Sequence, residues 1–478
     1  MVSLFWKSLA LIFILTVSVF GQTNYTIEGF KFEFQGSGAR AEGMGKAFLS
    51  VSDDNTAGSW NPAGLYELDR PILSLSYGSA MPRGNTQTFD GFYRNEFGNL
   101  NEHSGSFGGI NGINFVAPLR IKGHPFVGSF SFTKNNDEYQ AFQQSYTFLR
   151  VTAIPIFGNQ IFYDSTNFLL GYESKLEGGM ASVNFSLGTR IYQNFSAGVA
   201  LNVYTGNTVL EVNQLAYSDS VLLYPSLQMV RGAENVQVID SNKFSGFNFT
   251  LGTKYSGNKF NVALIVRTPF SLNVKTGKSI FVVSSINGQP IIEGTDTTYY
   301  DDILVKYDVP LIIGGGVSFK ATEKLLFALD AEYKGFSSSK VKVRDSLFLD
   351  PGGDNTEFFT EVDPHWNSVL SFRVGGEYKF SSKIGILPVR AGFGYLPRVD
   401  PNYEVATPYS YNTSTSTENA FSVGTGIWWS QIHLDFAYTY STYEKKMIGI
   451  NQETVALQDL YLEKNKDHHV NFTFTGYF

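Results

Sequence analysis

The residues of this 478-residue chain best equipped for chemistry are its six histidines and the carboxylates near them. His433 and Asp435 fall on one face of an alternating segment, and Asp467, His468 and His469 run consecutively at the start of another. A histidine oriented by a carboxylate can serve as a general base, but it then needs a nucleophile, and neither group comes with a recognisable nucleophile motif. His103, His124 and His365 are scattered, with no helix carrying paired ligands, so no metal site is expected. Gly36-Ser37-Gly38 lacks the preceding strand, the following helix and the lysine of a phosphate-binding loop, and reads as a turn. The absence of cysteine excludes disulfides, thiolate ligands, thiol catalysis and lipid attachment to an N-terminal cysteine. The histidines are therefore expected to line a polar interior in a protein that is not an enzyme and needs no cofactor.

The composition indicates the elements that would position them. There are 47 Gly, 42 Phe and 27 Tyr, and charged residues make up 17%, below the roughly 25% usual in soluble domains. A net charge of -7 and no Lys/Arg cluster leave nothing to track a phosphate backbone, so nucleic acid is excluded as a partner. Lys7, the apolar stretch from Leu9 to Phe20 and Val19-Phe20-Gly21 before Gln22 read as a secretory signal peptide over residues 1–21. That stretch falls short of the roughly 20 residues a spanning helix needs.

Beyond residue 66 the chain alternates between apolar and polar residues. Val470, Phe472 and Phe474 fall on one face, with Asn471, Thr473 and Thr475 on the other, the period of a strand with one oily face. Fourteen such segments begin near Pro71, Gly108, His124, Met180, Asn194, Phe244, Asn258, Tyr307, Lys324, Asn367, Ile384, Glu418, Ile432 and Asp467. Tight turns, as at 120–123, 192–193, 256–257, 320–323, 381–383 and 430–431, alternate with polar loops at 81–107, 134–179, 207–243, 272–306, 336–366, 397–417 and 443–466. Short turns on one side and long connections on the other are the asymmetry of an outer-membrane barrel. Backbone groups in lipid must all be paired, so a closed barrel is the one β arrangement that can span. The reading is an all-β, fourteen-stranded antiparallel transmembrane barrel over residues 67–478. Trp366, Trp428, Trp429, Tyr438 and Tyr440 lie near strand ends, as girdle residues do, and the terminal Phe478 resembles the signal read by barrel-assembly machinery.

Residues 22–66 are too rich in small and apolar types for a solvated tail. Asn61-Pro62-Ala63-Gly64 combines a fixed φ, a permissive glycine and a self-bonding asparagine, which predicts a compact turn. Within this stretch the motifs Gly38-Ala39-Arg40-Ala41, Gly43-Met44-Gly45-Lys46-Ala47, Asp53-Asp54 and Asn61-Pro62-Ala63-Gly64 occur in order. Together they resemble the N-terminus of the FadL/TodX-type transporters of long-chain fatty acids and aromatic hydrocarbons. Asp308-Val309-Pro310, Val389-Arg390-Ala391-Gly392-Phe393-Gly394-Tyr395 and Leu434-Asp435-Phe436-Ala437-Tyr438-Thr439-Tyr440 are similar to late strands of that family.

The resemblance implies a fourteen-stranded barrel whose lumen holds residues 22–66 as a hatch. Arg40, Asp53 and Asp54 would tie the hatch to the inner wall, and Asn61, Pro62, Ala63 and Gly64 would form its inner turn. It also implies a bacterial outer-membrane location and passive uptake of a small hydrophobic ligand, leaving past the hatch or sideways through the wall. Phe142, Tyr146, Phe148 and Phe157 are candidate ligand-lining aromatics. The expected partners are outer-membrane lipid and, during biogenesis, the barrel-assembly machinery, with the chain a monomer. Barrels of the type IX secretion apparatus share the fold and an Asn-Pro-Ala-Gly-like hatch, so a secretion scaffold or shuttle stands as the alternative. An open porin is disfavoured by the plug.

Overall fold

The computed structural model describes the backbone of residues 34, 36–90, 96–104, 106–156, 160–223, 228–286, 289–294, 300–344, 359–407, 410–450 and 457–478. The expected signal peptide lies outside them. In chain order the strands are β1 (Ile72–Asp90), β2 (Glu96–Ser104), β3 (Phe107–Ile121), β4 (His124–Ile156), β5 (Gln160–Tyr192), β6 (Phe195–Leu223) and β7 (Gln228–Ser256). They continue as β8 (Phe260–Arg267), β9 (Phe270–Ile286), β10 (Gln289–Gly294), β11 (Tyr300–Val309), β12 (Ile312–Lys320), β13 (Leu325–Lys334) and β14 (Val341–Arg344). The last are β15 (Phe359–Val362), β16 (Val369–Ser382), β17 (Gly385–Thr407), β18 (Ser410–Trp428), β19 (Ile432–Ile450) and β20 (Leu457–Tyr477).

A closed ring of fourteen is contained in this set. β1, β3, β4, β5, β6, β7, β8, β12, β13, β16, β17, β18, β19 and β20 each pair antiparallel with the next, and β20 returns to β1 in register from Ile72↔Tyr477 to Asp90↔Asp459. The fold class read from the alternation is the one observed. Closure follows from the solvent: lipid offers no hydrogen bonds, so a spanning sheet cannot keep an edge. The tight turns and the chain end meet on one side, where the Phe478 amide donates to the Pro71 carbonyl at 3.0 Å. Lys122 and Gly123 both adopt positive φ between β3 and β4, as two-residue hairpins require.

Alternation along each strand becomes an inside and an outside. Leu73, Leu75 and Tyr77 of β1 and Phe472 and Phe474 of β20 are exposed on the outer surface, while Ser74, Ser76, Asn471, Thr473 and Thr475 are buried inward. Exposed Phe260, Val262 and Leu264 of β8 and Phe327 and Leu329 of β13 continue this apolar belt around the barrel. A closed barrel with such a belt spans a membrane.

The long connections differ from the sequence reading. Residues 134–179 were expected to form a polar loop, but β4 and β5 stay paired out to Ile156↔Gln160, and β6 and β7 continue to Leu223↔Gln228. β7 pairs with β8 over its inner part and with β9 from Ser245↔Asn273 outward. β11 pairs with β9 and β14, and β14 pairs with β15. Outside lipid no solvent imposes an apolar outer face, so the period-two signal of the belt is not sustained although the backbone pairing continues. The strand expected to open at Asp308 is also two pieces: β11 ends at Val309 and β12 starts at Ile312, on either side of Pro310, which has no N–H to donate.

Phe472 lies near the middle of the belt. Replacing it with Arg is expected to destabilise the barrel by about 2–4 kcal/mol, read as a shifted denaturant midpoint for refolding into lipid vesicles with heat-modifiable gel mobility as the probe.

Candidate functional site in the barrel lumen

Residues 36–68 run inside the ring as a short helix at Ala39–Gly43, a second at Ala57–Trp60 and a 3-10 turn at Pro62–Glu67. Small residues allow the close fit. A side chain at Gly392 of β17 would strike the backbone of Met44 and Gly45, and Gly45 itself takes φ 64°, a conformation that favours glycine. Asn61 closes the second turn by accepting from the Ala63 amide at 3.1 Å, and its amide group donates to the carbonyls of Leu49 and Thr253 at 3.2 Å each.

The centre of attachment is a chain of buried charges. Arg40 donates from Nε and Nη2 to Glu377 of β16 at 2.9 and 3.1 Å, and from Nη1 to Asp53 at 2.5 Å and Asp54 at 3.4 Å. Glu377 also accepts from Arg390 Nε at 2.7 Å, Arg390 pairs with Asp435 at 2.8 Å, and the Trp428 indole donates to Asp435 at 3.0 Å. The guanidinium groups of Arg40 and Arg390 lie 5.4 and 5.2 Å from the Trp428 ring, within cation–π range. A carboxylate buried on the wall is thus compensated by two arginines, one from the segment and one from the wall.

Further wall groups satisfy backbone atoms of the segment. Asp330 accepts the amides of Phe48 and Leu49 at 2.6 and 2.8 Å, Lys254 donates to the Val51 carbonyl at 2.6 Å, and Thr473 accepts the Ala39 amide at 2.9 Å. Glu42 accepts from Asn471 at 3.0 Å and lies 3.1 Å from His469 Nδ1. Burial alone would raise the Glu42 carboxyl, but His469, Lys46 and Asn471 outweigh it and hold it below its ordinary value. For Asp54 burial prevails over the pull of Arg40 and raises the carboxyl. A polar cavity of about 170 Å³ lies between segment and wall, lined by Arg40, Asp54, Lys379, His433, Asp435 and Tyr477 among others.

Further out, the lumen has two unlike sides. Met180, Tyr204, Phe244, Leu272, Val305, Tyr307, Phe336, Trp366 and Val369 belong to one buried apolar cluster contributed by β5 to β17, where Val399 ends it beside Arg398. Phe34 of the N-terminal segment belongs to it: its ring meets Tyr204 and Phe270 edge-on at 5.2 and 5.7 Å, and those two stack at 4.9 Å. Bordering this cluster at Val399, strands β17 to β20 carry Arg398, Asp400, Tyr443, Lys445 and Asn465. Asp400 binds Arg398 at 3.1 Å and Lys445 at 2.7 Å, and Arg398 lies over the Tyr443 ring at 4.3 Å.

The wall also contains a seam. The β3–β4 ladder ends outward at Gly112↔Thr133, whereas β3 continues on β1 to Phe107↔Ala80 past an irregularity at Asn111, and outer β4 pairs with β5. Ser37 and Asn114 exchange hydrogen bonds at 3.3–3.5 Å just inside it.

Of the residues singled out in the sequence, Arg40, Asp53, Asp54, Asn61, Pro62, Ala63 and Gly64 all lie in the luminal segment, the first three in one ion-paired group. The ligand aromatics expected at Phe142, Tyr146, Phe148 and Phe157 have side chains outside the described residues. Two girdle expectations fail. Trp428 points into the lumen against Asp435, because a one-residue change of position along a strand reverses the face, and Trp366, in the connection between β15 and β16, packs inward on Tyr307 and Phe336. Trp429 is exposed as a girdle residue should be. Glu377, Asp330, Lys254, Phe34, Tyr204 and Phe270 were not foreseen. A charged residue on the polar face of a spanning strand was the available signal for the first three.

This geometry has counterparts among solved structures. A Pseudomonas aeruginosa FadL homologue superposes with a TM-score of 0.59 at 13% identity, covering 93% of this chain and 99% of that one. The P. putida toluene transporter TodX gives 0.51 at 13% identity, over 93% and 99% of the two chains. The fold is that of the FadL-type barrels. A family model described as BamG matches residues 163–379, less than half of the chain. No curated protein sequence matches it.

The lack of native cysteine makes a reporter simple. Ser50 is fully buried and its hydroxyl has no partner, so in Ser50→Cys the added Glu377→Gln change is expected to speed thiol labelling at least about ten-fold, since breaking one side of a buried ion pair costs about 3–5 kcal/mol. The same reporter tests pH. A lowered carboxyl contributes stability that is complete above its ordinary value of about 4.3 and is lost as pH falls through the folded value. The difference in protection between the parent and Glu42→Gln should therefore be present above the ordinary carboxyl value of about 4.3 and shrink as pH falls below it.

Proposed function

We propose that this chain is a bacterial outer-membrane conduit for passive, non-enzymatic uptake of hydrophobic compounds, with residues 22–66 as its hatch. The observation that carries the reading is Phe34. An aromatic side chain of the hatch occupies an apolar, aromatic-lined site on the outer side of the segment, where a greasy solute arriving from outside would gain on the order of 0.8 kcal/mol per buried methylene. A ligand taking that site displaces Phe34, and so couples its own capture to the hatch.

The two-sided outer lumen favours an amphiphile such as a long-chain fatty acid over a plain hydrocarbon. Its chain would lie on the apolar cluster while its polar end faces Arg398, Asp400 and Lys445. The likeness to a FadL homologue and to a toluene transporter supports hydrophobic transport as a class and is neutral between these solutes. The β3–β4 seam supports sideways exit, and the small polar cavity between hatch and wall suits water better than an alkyl chain.

A second reading has a specific observation in its favour. The BamG match and the long paired strands β4 to β7 above the membrane fit a barrel that works with the barrel-assembly machinery as a protein partner. Uptake of radiolabelled oleate by cells carrying the chain, with insertion confirmed by heat-modifiable mobility, separates the two. Saturable uptake supports transport, whereas none above empty-vector cells, together with stable co-purification with the assembly machinery, supports the second.

If Phe34 competes with ligand, Phe34→Ala should tighten oleate binding by about ten-fold, since vacating the cage removes an aromatic contact worth about 0.5–1.5 kcal/mol beyond its buried area. Weaker binding in a fluorescence displacement assay would count against the competition.

A further inference from the structure

Just above the apolar belt, the outer face of the barrel places like charges directly opposite each other. Arg83 of β1 pairs in register with Lys466 of β20. Both are exposed and point outward, and among the described residues neither has an ion-pair or hydrogen-bond partner. Elsewhere, where outer β7 pairs with β9, Lys243 lies opposite Lys275 in the same way, again exposed and, among the described residues, without a partner. Like charges facing each other across strands are destabilising, and two separate occurrences need something that compensates them.

Their height identifies it. From Leu73 at the turn side of the belt to Arg83 is ten residues, about 33 Å along a strand and about 25 Å along the membrane normal at a tilt of about 40°. That is the height of the apolar band itself. Directly beneath the first pair are the ring of Tyr440 and that of His468, which accepts or donates at 2.7 Å to the Tyr438 hydroxyl, the aromatic layer of an interface. Lys243 lies likewise just above exposed Phe247 and Phe249. The nearby carboxylate Glu444 is bound by Lys464 at 3.1 Å and so does not neutralise the first pair.

We infer that the Arg83–Lys466 and Lys243–Lys275 pairs bind the phosphate groups of phosphorylated glycolipid in the outer leaflet. Each pair offers converging donors at headgroup level, and an anion between them turns repulsion into two charge-assisted contacts. The orientation rests on the outer-membrane reading above, since the side of the extended strands, opposite the tight turns, must face outward.

The test uses the full-length barrel in detergent and native mass spectrometry with bis-phosphorylated lipid A, its dephosphorylated form and inorganic phosphate. Preferential retention of the phosphorylated lipid is expected, with a drop of at least about ten-fold in Arg83→Gln/Lys466→Gln and a smaller drop in Lys243→Gln/Lys275→Gln. Equal retention of the two lipids, no effect of either double variant, or inorganic phosphate binding as tightly as the lipid would overturn it. Oleate binding, measured in parallel, should be unchanged in both variants. Its loss in the parent would count against the transport reading without touching this one.

Discussion

In lipid a backbone amide has no water to bond, and the rest of this molecule is arranged around that constraint. It forces the sheet to close, from β1 through β20 and back, and closure creates an interior that is neither lipid nor bulk solvent. The outer face can then be uniformly apolar while the inner face carries serines, asparagines and full charges. Glu377, Asp330 and Glu332 are buried on strands whose other faces are Phe, Leu and Val. Such charges are costly unless paired, and the luminal segment supplies much of the pairing.

Segment and wall are therefore mutually dependent. Arg40 without Glu377 would be a cation buried in the lumen, and Asp330 without the amides of Phe48 and Leu49 would be an anion with little to accept from. The attachment combines these polar contacts with apolar packing of Met44, Phe48, Leu49 and Trp60 on Ala263, Ile265, Leu326 and Ala328 of the wall. Among the described residues of the segment, Phe34 lies apart from that core, against the rings of Tyr204 and Phe270.

Depth also organises the outer half. Above the belt the strands need no lipid-facing apolar stripe, and they extend as paired ribbons, with Val212, Val236 and Val238 buried together on β6 and β7. The sheet branches there: β9, β11, β14 and β15 pair in turn outward from β7, and they contribute Leu272, Val305, Tyr307 and Val341 to the apolar side of the outer lumen. The remaining strands, β17 to β20, carry the charged side.

Along the sequence, period-two alternation determined the ring of fourteen, the apolar belt and the side on which the tight turns lie, because in a spanning strand each residue's face is dictated by the solvent it meets. The ordered motifs from Gly38 to Gly64 likewise made a compact segment legible, since glycine, proline and asparagine act on their own backbone. What alternation could not carry was pairing across the lumen. Arg40 with Glu377, Glu42 with His469 and Phe34 with Tyr204 are separated by hundreds of residues or by a strand's depth, and no local pattern encodes which wall a side chain will meet. Trp428 could be placed near a strand end but not on a face, because one residue of register decides between lipid and lumen, and Trp366 lies in a connection whose path no alternation encodes. The continuation of β4 to β7 beyond the membrane was hidden because outside lipid no solvent dictates a face, and there the partner strand's hydrogen bonds define the strand.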